Sequence, residues 1–456
     1  MSMEKTVLDG QNKLSTRCPV PFPVIVDGIW VGISADLNGQ DFSVQLPDVL
    51  SIFPPDSKHR VKVRFSNTEA EEFPAKVVSS ESHPESGIIV GMQLAGSGRF
   101  DSNRAEAAAK NLSRIDESFR QKVLQMRKAV AWIKAECDLR DSRGPRQSPG
   151  AFLEELQGRV FPAFDKSLAQ IWDLYTRLHQ EGRRAHQLFC QWMLHDLVEE
   201  QVEINRHIYR KPLGYPGDFM MMNYIYDYHA GRYLGKTTFE KLINRYTCNI
   251  PISKSNIGRK EYLKKQIEKV IRSHLDPSLL SVGSGPLREL VELLTEGKIA
   301  KPFSFACVDF EKKAIAHAEK ELAKLPSGKR GLIRERFVIG DVVSIIRKKD
   351  FRAALGQHDL IYVSGVFDYL SDRLASALAE QLFRLLKGGG RLIIVNASLQ
   401  RSSHRAYYEI LGEWDMYHRT EEEMLNWVRP ESRPSIRFES VPNCPGYLFM
   451  VLDKLA

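Results

Sequence analysis

Apolar and polar positions follow three different rhythms along this chain. Through positions 1–100 they alternate in short runs: Phe22–Val26, Trp30–Ile33, Phe42–Leu46, Val61–Phe65, Ala75–Val78 and Ile88–Leu94. Gly, Pro, Asn and Asp separate these runs, and that spacing predicts a small all-β barrel or sandwich. Positions 101–150 change to a helical period. A helix is predicted over Arg104–Arg140, with Ile115, Phe119, Val123, Met126, Val130, Ile133 and Cys137 stepping by four and three residues as in a coiled-coil seam. That seam can pair with a second copy, giving a homodimer through the 104–140 helix, or pack on helices of its own chain. Asp141–Gly150 reads as a linker. Positions 151–275 form a helical cap or substrate region, with helices over Ala151–Val160, Phe164–Gln180 and Arg184–Tyr209. Lys211–Phe219, with two Pro and two Gly, breaks the pattern as a shaped loop. Met220–Tyr228 is dense in Met and Tyr and suits either core or an apolar pocket. Pro251–Arg259 is a second irregular segment, followed by a helix over Lys260–His274.

From position 276 to 456 the rhythm becomes strand, helix, strand, helix. Strands are predicted at Leu279–Val282, Phe303–Val308, Arg336–Gly340, Asp359–Val363, Arg391–Val395, Ile436–Ser440 and Tyr447–Leu452. Helices are predicted at Leu287–Leu294, Lys312–Leu325, Val342–Arg347, Asp372–Leu386 and Ser402–Gly412. Such alternation builds a doubly wound α/β sheet. The fold class is therefore multidomain: a small β-barrel, a helical middle and a C-terminal Rossmann-like sheet.

Composition narrows the setting. Length, 456 residues, calls for two or three domains, and 43% hydrophobic with 27% charged residues is ordinary for a globular chain. The six cysteines are scattered without a CxxC pair, which points to a reducing, cytoplasmic setting and no zinc. No signal-peptide pattern or membrane-length apolar run is expected. The net charge of +8 is spread out, and the densest patch, Arg259–Lys265, has the spacing of a solvated helix face rather than a nucleic-acid surface. His186, His195 and His207 have no third ligand in view, so no metal is assigned.

The candidate chemistry lies at Leu279-Leu-Ser-Val-Gly-Ser-Gly-Pro-Leu287. A P-loop needs Lys and Ser/Thr that are missing here, and a dinucleotide turn needs a third Gly where Pro-Leu-Arg follows Gly285. The remaining landmarks are Asp309-Phe310 ending the second strand, Asp341-Val342 after the third, Ser364 in the exit of the fourth, and Leu385–Leu392 entering the fifth. In that order they resemble class I S-adenosylmethionine (SAM) methyltransferases, from about Leu279 to the C-terminus. The resemblance implies a cofactor site made by Gly283, Ser284 and Gly285 at the turn, Asp309 and Phe310 at the ribose, and Asp341 and Val342 at the adenine. Ser364 would lie near the methyl group. Where that family usually has an acid two residues before the first Gly, this chain has Ser281. Arg259 and the Tyr215–Asp218 loop are the candidates to hold the amino-acid end instead.

Gly214–Phe219, Met222–Tyr226, Ser255–Arg259 and Glu413–Glu422 carry a closer likeness, from about Ala151 to the end. They are similar to bacterial methyltransferases linked to synthesis of 3-hydroxypalmitic acid methyl ester, an extracellular signal. That resemblance implies SN2 methyl transfer to a small or lipidic acceptor, a fatty-acid carboxylate first. A carboxylate is already a nucleophile, so catalysis would rest on proximity and desolvation. Tyr215, Tyr224, Tyr369, His418 and Arg419 are candidate donors to it, and Met220–Met222 with Phe367 could line the chain's channel. For an amine, lipid headgroup or protein acceptor, Asp218 or Asp368 could act as base. Asp368 reads equally as a helix cap, and Arg419 as a salt-bridge partner of Glu421–Glu423. The N-terminal runs resemble a PilZ barrel, the cyclic-di-GMP receptor domain. Lys13–Arg17 stands at its RxxxR arm and Asp36–Asp41 at its DxSxxG turn, both degraded, which weighs against cyclic-di-GMP as a ligand. A third reading remains: a cyclic-di-GMP-responsive effector whose methyltransferase fold only binds.

Overall fold

The computed structural model describes residues 22–27, 30–38, 41–46, 53–64, 66, 70–83, 87–95, 111–143, 149–429 and 435–456. The chain divides into two compact units, Met1–Gln201 with Lys236–Glu240, and Val202–Gly235 with Lys241–Ala456.

In the first unit, strands β1 (Pro23–Val26), β2 (Trp30–Asn38), β3 (Asp41–Leu46), β4 (Lys58–Arg64), β5 (Ala70–His83) and β6 (Gly87–Leu94) close a barrel. Its order is β1-β2-β3-β6-β5-β4, with every pair antiparallel. Period-two burial fills the interior with Phe42, Val44 and Leu46 from β3, Val61 and Val63 from β4, and Val90 and Met92 from β6. The Lys13–Arg17 arm and Gly39-Gln40 of the degraded turn lie outside the described residues, as do the side chains of Asp36–Asn38.

The linker helix differs from expectation at its start. Helix α1 runs Glu117–Arg143, not from Arg104, because a turn at 113–115 precedes it and Asp116 Oδ1 accepts from Phe119 N at 2.9 Å as a cap. Residues 101–110 lie outside the described chain. Phe119, Val123, Met126, Val130 and Cys137 of the seam are buried within the unit, where α1 packs on helices α2 (Pro149–Arg177) and α3 (Gln180–Leu194). Helix α2 is continuous across Pro162, where two helices were expected. Its buried stripe of Leu156, Val160, Phe164, Leu168 and Ile171 outweighs the roughly 3 kcal/mol an interior proline costs.

The expected helix over Arg184–Tyr209 is broken. Helix α3 stops at Leu194, and α4 (Glu203–Arg210) begins in the second unit. Arg127 supplies a physical reason. It bonds the Met193 carbonyl, one of the terminal carbonyls without an intrahelical partner, and pairs with Asp196 through two nitrogens at 2.7 and 3.0 Å. The same guanidinium donates to the Gly32 carbonyl of β2 at 2.9 Å.

The second unit continues through α5 (Phe219–His229), α6 (Thr238–Asn249) and α7 (Pro251–Ser273). Pro251–Arg259 is therefore not irregular. Pro251 takes the first helical position, where its missing N–H costs nothing, and the segment is the opening of α7. A seven-stranded sheet follows, in the order β12-β13-β11-β10-β7-β8-β9. Its strands are β7 (Ser278–Val282), β8 (Phe303–Asp309), β9 (Ile333–Ile339), β10 (His358–Ser364), β11 (Leu386–Ala397), β12 (Ile436–Glu439) and β13 (Tyr447–Asp453). Strands β11, β10, β7, β8 and β9 are parallel; β13 pairs antiparallel with β11, and β12 antiparallel with β13 at the edge. Two local expectations change. The Gly388–Gly390 run is a bulge inside β11, where pairing to β10 jumps from Leu386 to Arg391, rather than a turn before it. The helix expected over Ser402–Gly412 is a π-helical turn, Ala406–Leu411. The order reverses between β7 and β10, and that switch point opens a crevice at the carboxyl ends of the strands.

Candidate functional site

Helix α8 (Arg288–Thr295) follows β7 through the glycine turn. Gly283 and Gly285 adopt φ of 67° and 54°, which only glycine takes readily. A Cβ on Gly283 would stand 2.2 Å from Val366 Cγ2, so the turn also needs the missing side chain for closeness. Asp309, at the end of β8, is 6% exposed. Its Oδ2 accepts from Gly285 N at 3.0 Å and its Oδ1 from Glu311 N at 2.9 Å. The carboxylate thus holds the turn in shape with one lone pair on each oxygen and keeps others for a ligand. Burial raises its pKa, against the pull of the Glu311, Gly285 and Phe310 amides.

A cavity of about 440 Å³ lies over this turn. Gly283, Ser284, Gly285, Asp309, Phe310, Asp341, Val342, Ser364 and Arg259, read from the sequence as cofactor residues, all line it. Asp341 caps the short helix Val342–Arg347 by accepting from Ser344 N at 2.7 Å, and its bonds to Ser344 hold its pKa below the usual range. Phe310 is 57% exposed, with its ring 5.4 Å from that of Tyr215. Ser284 Oγ is buried and has no hydrogen-bond partner among the described residues.

The five residues read as catalytic separate into two groups. Tyr215, Asp368 and Tyr369 line the cavity. Tyr369 Oη accepts from Trp414 Nε1 at 2.6 Å, and both crowd Gly217, where a Cβ would lie 2.5 Å from that oxygen. Asp368 is 2% exposed and accepts from Ala397 N at 2.6 Å; burial lifts its pKa to about 6 in spite of Arg259 and Arg419. Asp218 and Arg419 do not line the cavity. Asp218 caps α5, accepting from Met220 N and Met221 N at 2.9 and 3.0 Å, and bonds His207 Nε2. Arg419 is buried and fully engaged with Asp372, Asn396 and the carbonyls of Phe367 and Leu370, over the Trp427 ring. Its ion-pair partner is Asp372, not Glu421–Glu423. Tyr224 bonds Glu203, and His418 bonds Tyr408; neither reaches the cavity. Of the proposed channel, Met222 lines it and Phe367 stacks on Trp427 instead.

Tyr447, Asn256, Tyr362 and Glu289 also line the cavity, and no pattern in the sequence marks them. Arg259 stacks on Tyr447, its guanidinium 4.7 Å from the ring, and Tyr447 Oη donates to Asn256 at 3.1 Å. Beneath the turn, Ser281 is in register with Tyr362 of β10, whose hydroxyl donates to Glu289 at 2.7 Å. Tyr447 belongs to the last strand and Glu289 to the first turn of α8, so only the folded sheet brings them to Gly283. Asp218 did have a readable signal, an Asp directly before an apolar helical run.

A scan against protein-family models and a search of curated proteins each return no match. The chain is similar to several solved structures. One is a possible exported protein from Bordetella parapertussis, 16% identical, covering 56% of this chain and 87% of that one with a TM-score of 0.42. A magnesium protoporphyrin IX methyltransferase from Synechocystis with bound SAM is 13% identical over 45% of this chain and 84% of that one, TM-score 0.31. The N-methyltransferase NodS from Bradyrhizobium japonicum is 14% identical over 44% and 98%, TM-score 0.30.

Proposed function

We propose that the second unit is a SAM-dependent methyltransferase. The observation that carries the reading is Asp309, a buried carboxylate that shapes the glycine turn through Gly285 N and faces the cavity. Its remaining lone pairs suit the two ribose hydroxyls, both donors. Asp341 and Val342 at the end of β9 suit an adenine amino group and ring, and the unpartnered Ser284 hydroxyl supplies a further polar contact. When bound, SAM would supply an electrophilic methyl on its sulfonium. The protein would position the acceptor in line with it and keep water out.

The acceptor is read first as a fatty-acid carboxylate. Phe219, Met222 and Leu263 give the cavity an apolar wall, and the Tyr215 and Tyr369 hydroxyls, with pKa values raised by burial, stay protonated as donors to one carboxylate oxygen. An amine acceptor is the second reading. It is favoured by Asp368, whose pKa of about 6 suits a general base near neutrality.

Titration calorimetry with SAM and its demethylated product S-adenosylhomocysteine tests the cofactor. Wild type should bind both, and Asp309→Ala should weaken them about 30-fold or more, as loss of hydrogen bonds to a charged group implies. Failure of wild type to bind either ends the enzyme reading. Methyl-labelled SAM offered with a long-chain fatty acid or a primary amine then separates the acceptors.

A further inference from the structure

The cavity contains two buried ionisable groups of opposite sign, neither held in a salt bridge among the described residues. Arg259, on α7, is 6% exposed, and Glu289, on α8, is 8% exposed. Both line the cavity. Among the described residues no carboxylate lies within 4.0 Å of the Arg259 guanidinium, and no basic nitrogen within 4.0 Å of Glu289. The neighbouring cations are committed elsewhere: Lys260 pairs with Glu292 at 2.5 Å, and Arg288 with Asp227 at 3.0 Å. Arg259 meets only uncharged partners at close range: the Tyr226 hydroxyl by a hydrogen bond, the Tyr447 ring at 4.7 Å and Met222 Sδ at 3.9 Å. Charges this deeply buried are ordinarily paired, so each is complementary to an opposite charge arriving with a ligand.

Their placement gives that ligand a shape. Asp309 and Asp341 end β8 and β9 on one side of the glycine turn. Glu289 reaches beneath the turn toward Ser281 and Tyr362, on β7 and β10. Arg259 lies beside Gly365, after β10; a Cβ there would be 3.7 Å from its Nη1. Acceptors for a nucleoside therefore stand on one flank, and one cation with one anion on the other.

We infer that Glu289 and Arg259 form a subsite for a zwitterionic α-amino acid, Glu289 receiving the ammonium and Arg259 the carboxylate. The inference rests on the SAM reading and adds to it a binding residue on helix α8, in place of an acid on the strand. Tyr362 holds one Glu289 oxygen through its hydroxyl and so aims the carboxylate. Burial raises the Glu289 pKa, opposed first by that hydroxyl, and an arriving ammonium would favour the charged form.

The test measures affinities of wild type, Glu289→Gln and Asp368→Asn for three compounds by calorimetry. They are S-adenosylhomocysteine, its analogue lacking the amino group, and 5′-methylthioadenosine, which lacks the whole amino-acid end. Glu289→Gln keeps an acceptor for Tyr362. It should lose about 10- to 100-fold for S-adenosylhomocysteine and change less than about two-fold for the other two. Equal losses for all three compounds would show a structural role and overturn the inference. So would a loss confined to Asp368→Asn, which would place the ammonium at the other buried acid. Wild type binding 5′-methylthioadenosine as tightly as S-adenosylhomocysteine removes the subsite but leaves the cofactor reading standing. Wild type binding none of the compounds removes the cofactor reading itself.

Discussion

Asp368 offers the clearest quantitative test of the cavity's electrostatics. It is 2% exposed, with one oxygen bonded to Ala397 N, and its pKa is lifted from 3.8 to about 6, chiefly by burial. In the unfolded chain it titrates near its ordinary value. Between about pH 4 and pH 6 the folded state therefore holds a proton that the unfolded state has released. The group's contribution to stability is complete below pH 4 and is lost as pH rises toward 6. A shift of about two units corresponds to about 3 kcal/mol. Asp368→Asn is neutral at every pH and still accepts from Ala397 N through its carbonyl. Relative to wild type it should be unchanged at pH 4 and more stable by up to about 3 kcal/mol above pH 6.5. For a unit of this size that is about 2–4 °C in Tm per kcal/mol. Thermal melts of both proteins from pH 4 to pH 8 read the difference directly. A gap that stays constant with pH, or a variant less stable than wild type at pH 8, refutes the assignment of a buried, proton-holding carboxyl. The same profile bears on the acceptor: labelled methyl transfer rising with an apparent pKa near 6 and abolished in Asp368→Asn belongs to a base, whereas a carboxylate acceptor needs none.

Two further outcomes follow from individual contacts. Arg127→Met removes one partner of a buried ion pair and leaves Asp196 charged in the interior, which should destabilise the first unit by about 3–5 kcal/mol in urea titration. Arg127→Met with Asp196→Leu should recover much of that loss, and no recovery would mean that the bonds to Gly32 and Met193 matter more than the charge. Gly283→Ala places a Cβ 2.2 Å from Val366 Cγ2 at a φ of 67°, and should abolish measurable S-adenosylhomocysteine binding; wild-type affinity in that variant would show that the turn can move aside.

The parts of the fold legible in the sequence are those whose side chains face a uniform environment. Strands β7, β8, β10 and β13 are covered on both faces, so they read as near-continuous apolar blocks, and their limits fall within a residue or two of the pattern. The glycine turn and Asp309 were legible because backbone conformation demands glycine and because a charged residue closing an apolar strand stands out from the run before it. Helix limits were less legible. Pro162 and Pro251 look like breaks, yet one is overridden by a buried stripe and the other merely starts a helix. Roles that depend on a distant partner were not legible at all. Arg127 and Asp196 are 69 residues apart, and Arg419 meets Asp372 across 47, so the bonds each arginine makes emerge only in the folded chain.

Ser281 shows how such a gap in the pattern can be filled from elsewhere. The strand residue is 1% exposed, lies in register between Cys307 of β8 and Tyr362 of β10, and borders the cavity. A carboxylate there would compete with Glu289 for the Tyr362 hydroxyl, and two buried acids side by side would drive one another neutral. Serine at 281, tyrosine at 362 and glutamate at 289 are therefore one solution: a small strand residue leaves room, the tyrosine provides a donor, and the helix supplies the charge. In the proposed amino-acid subsite the carboxylate stands on α8, eight residues after Ser281 and on the far side of the turn, aimed by the Tyr362 hydroxyl of β10.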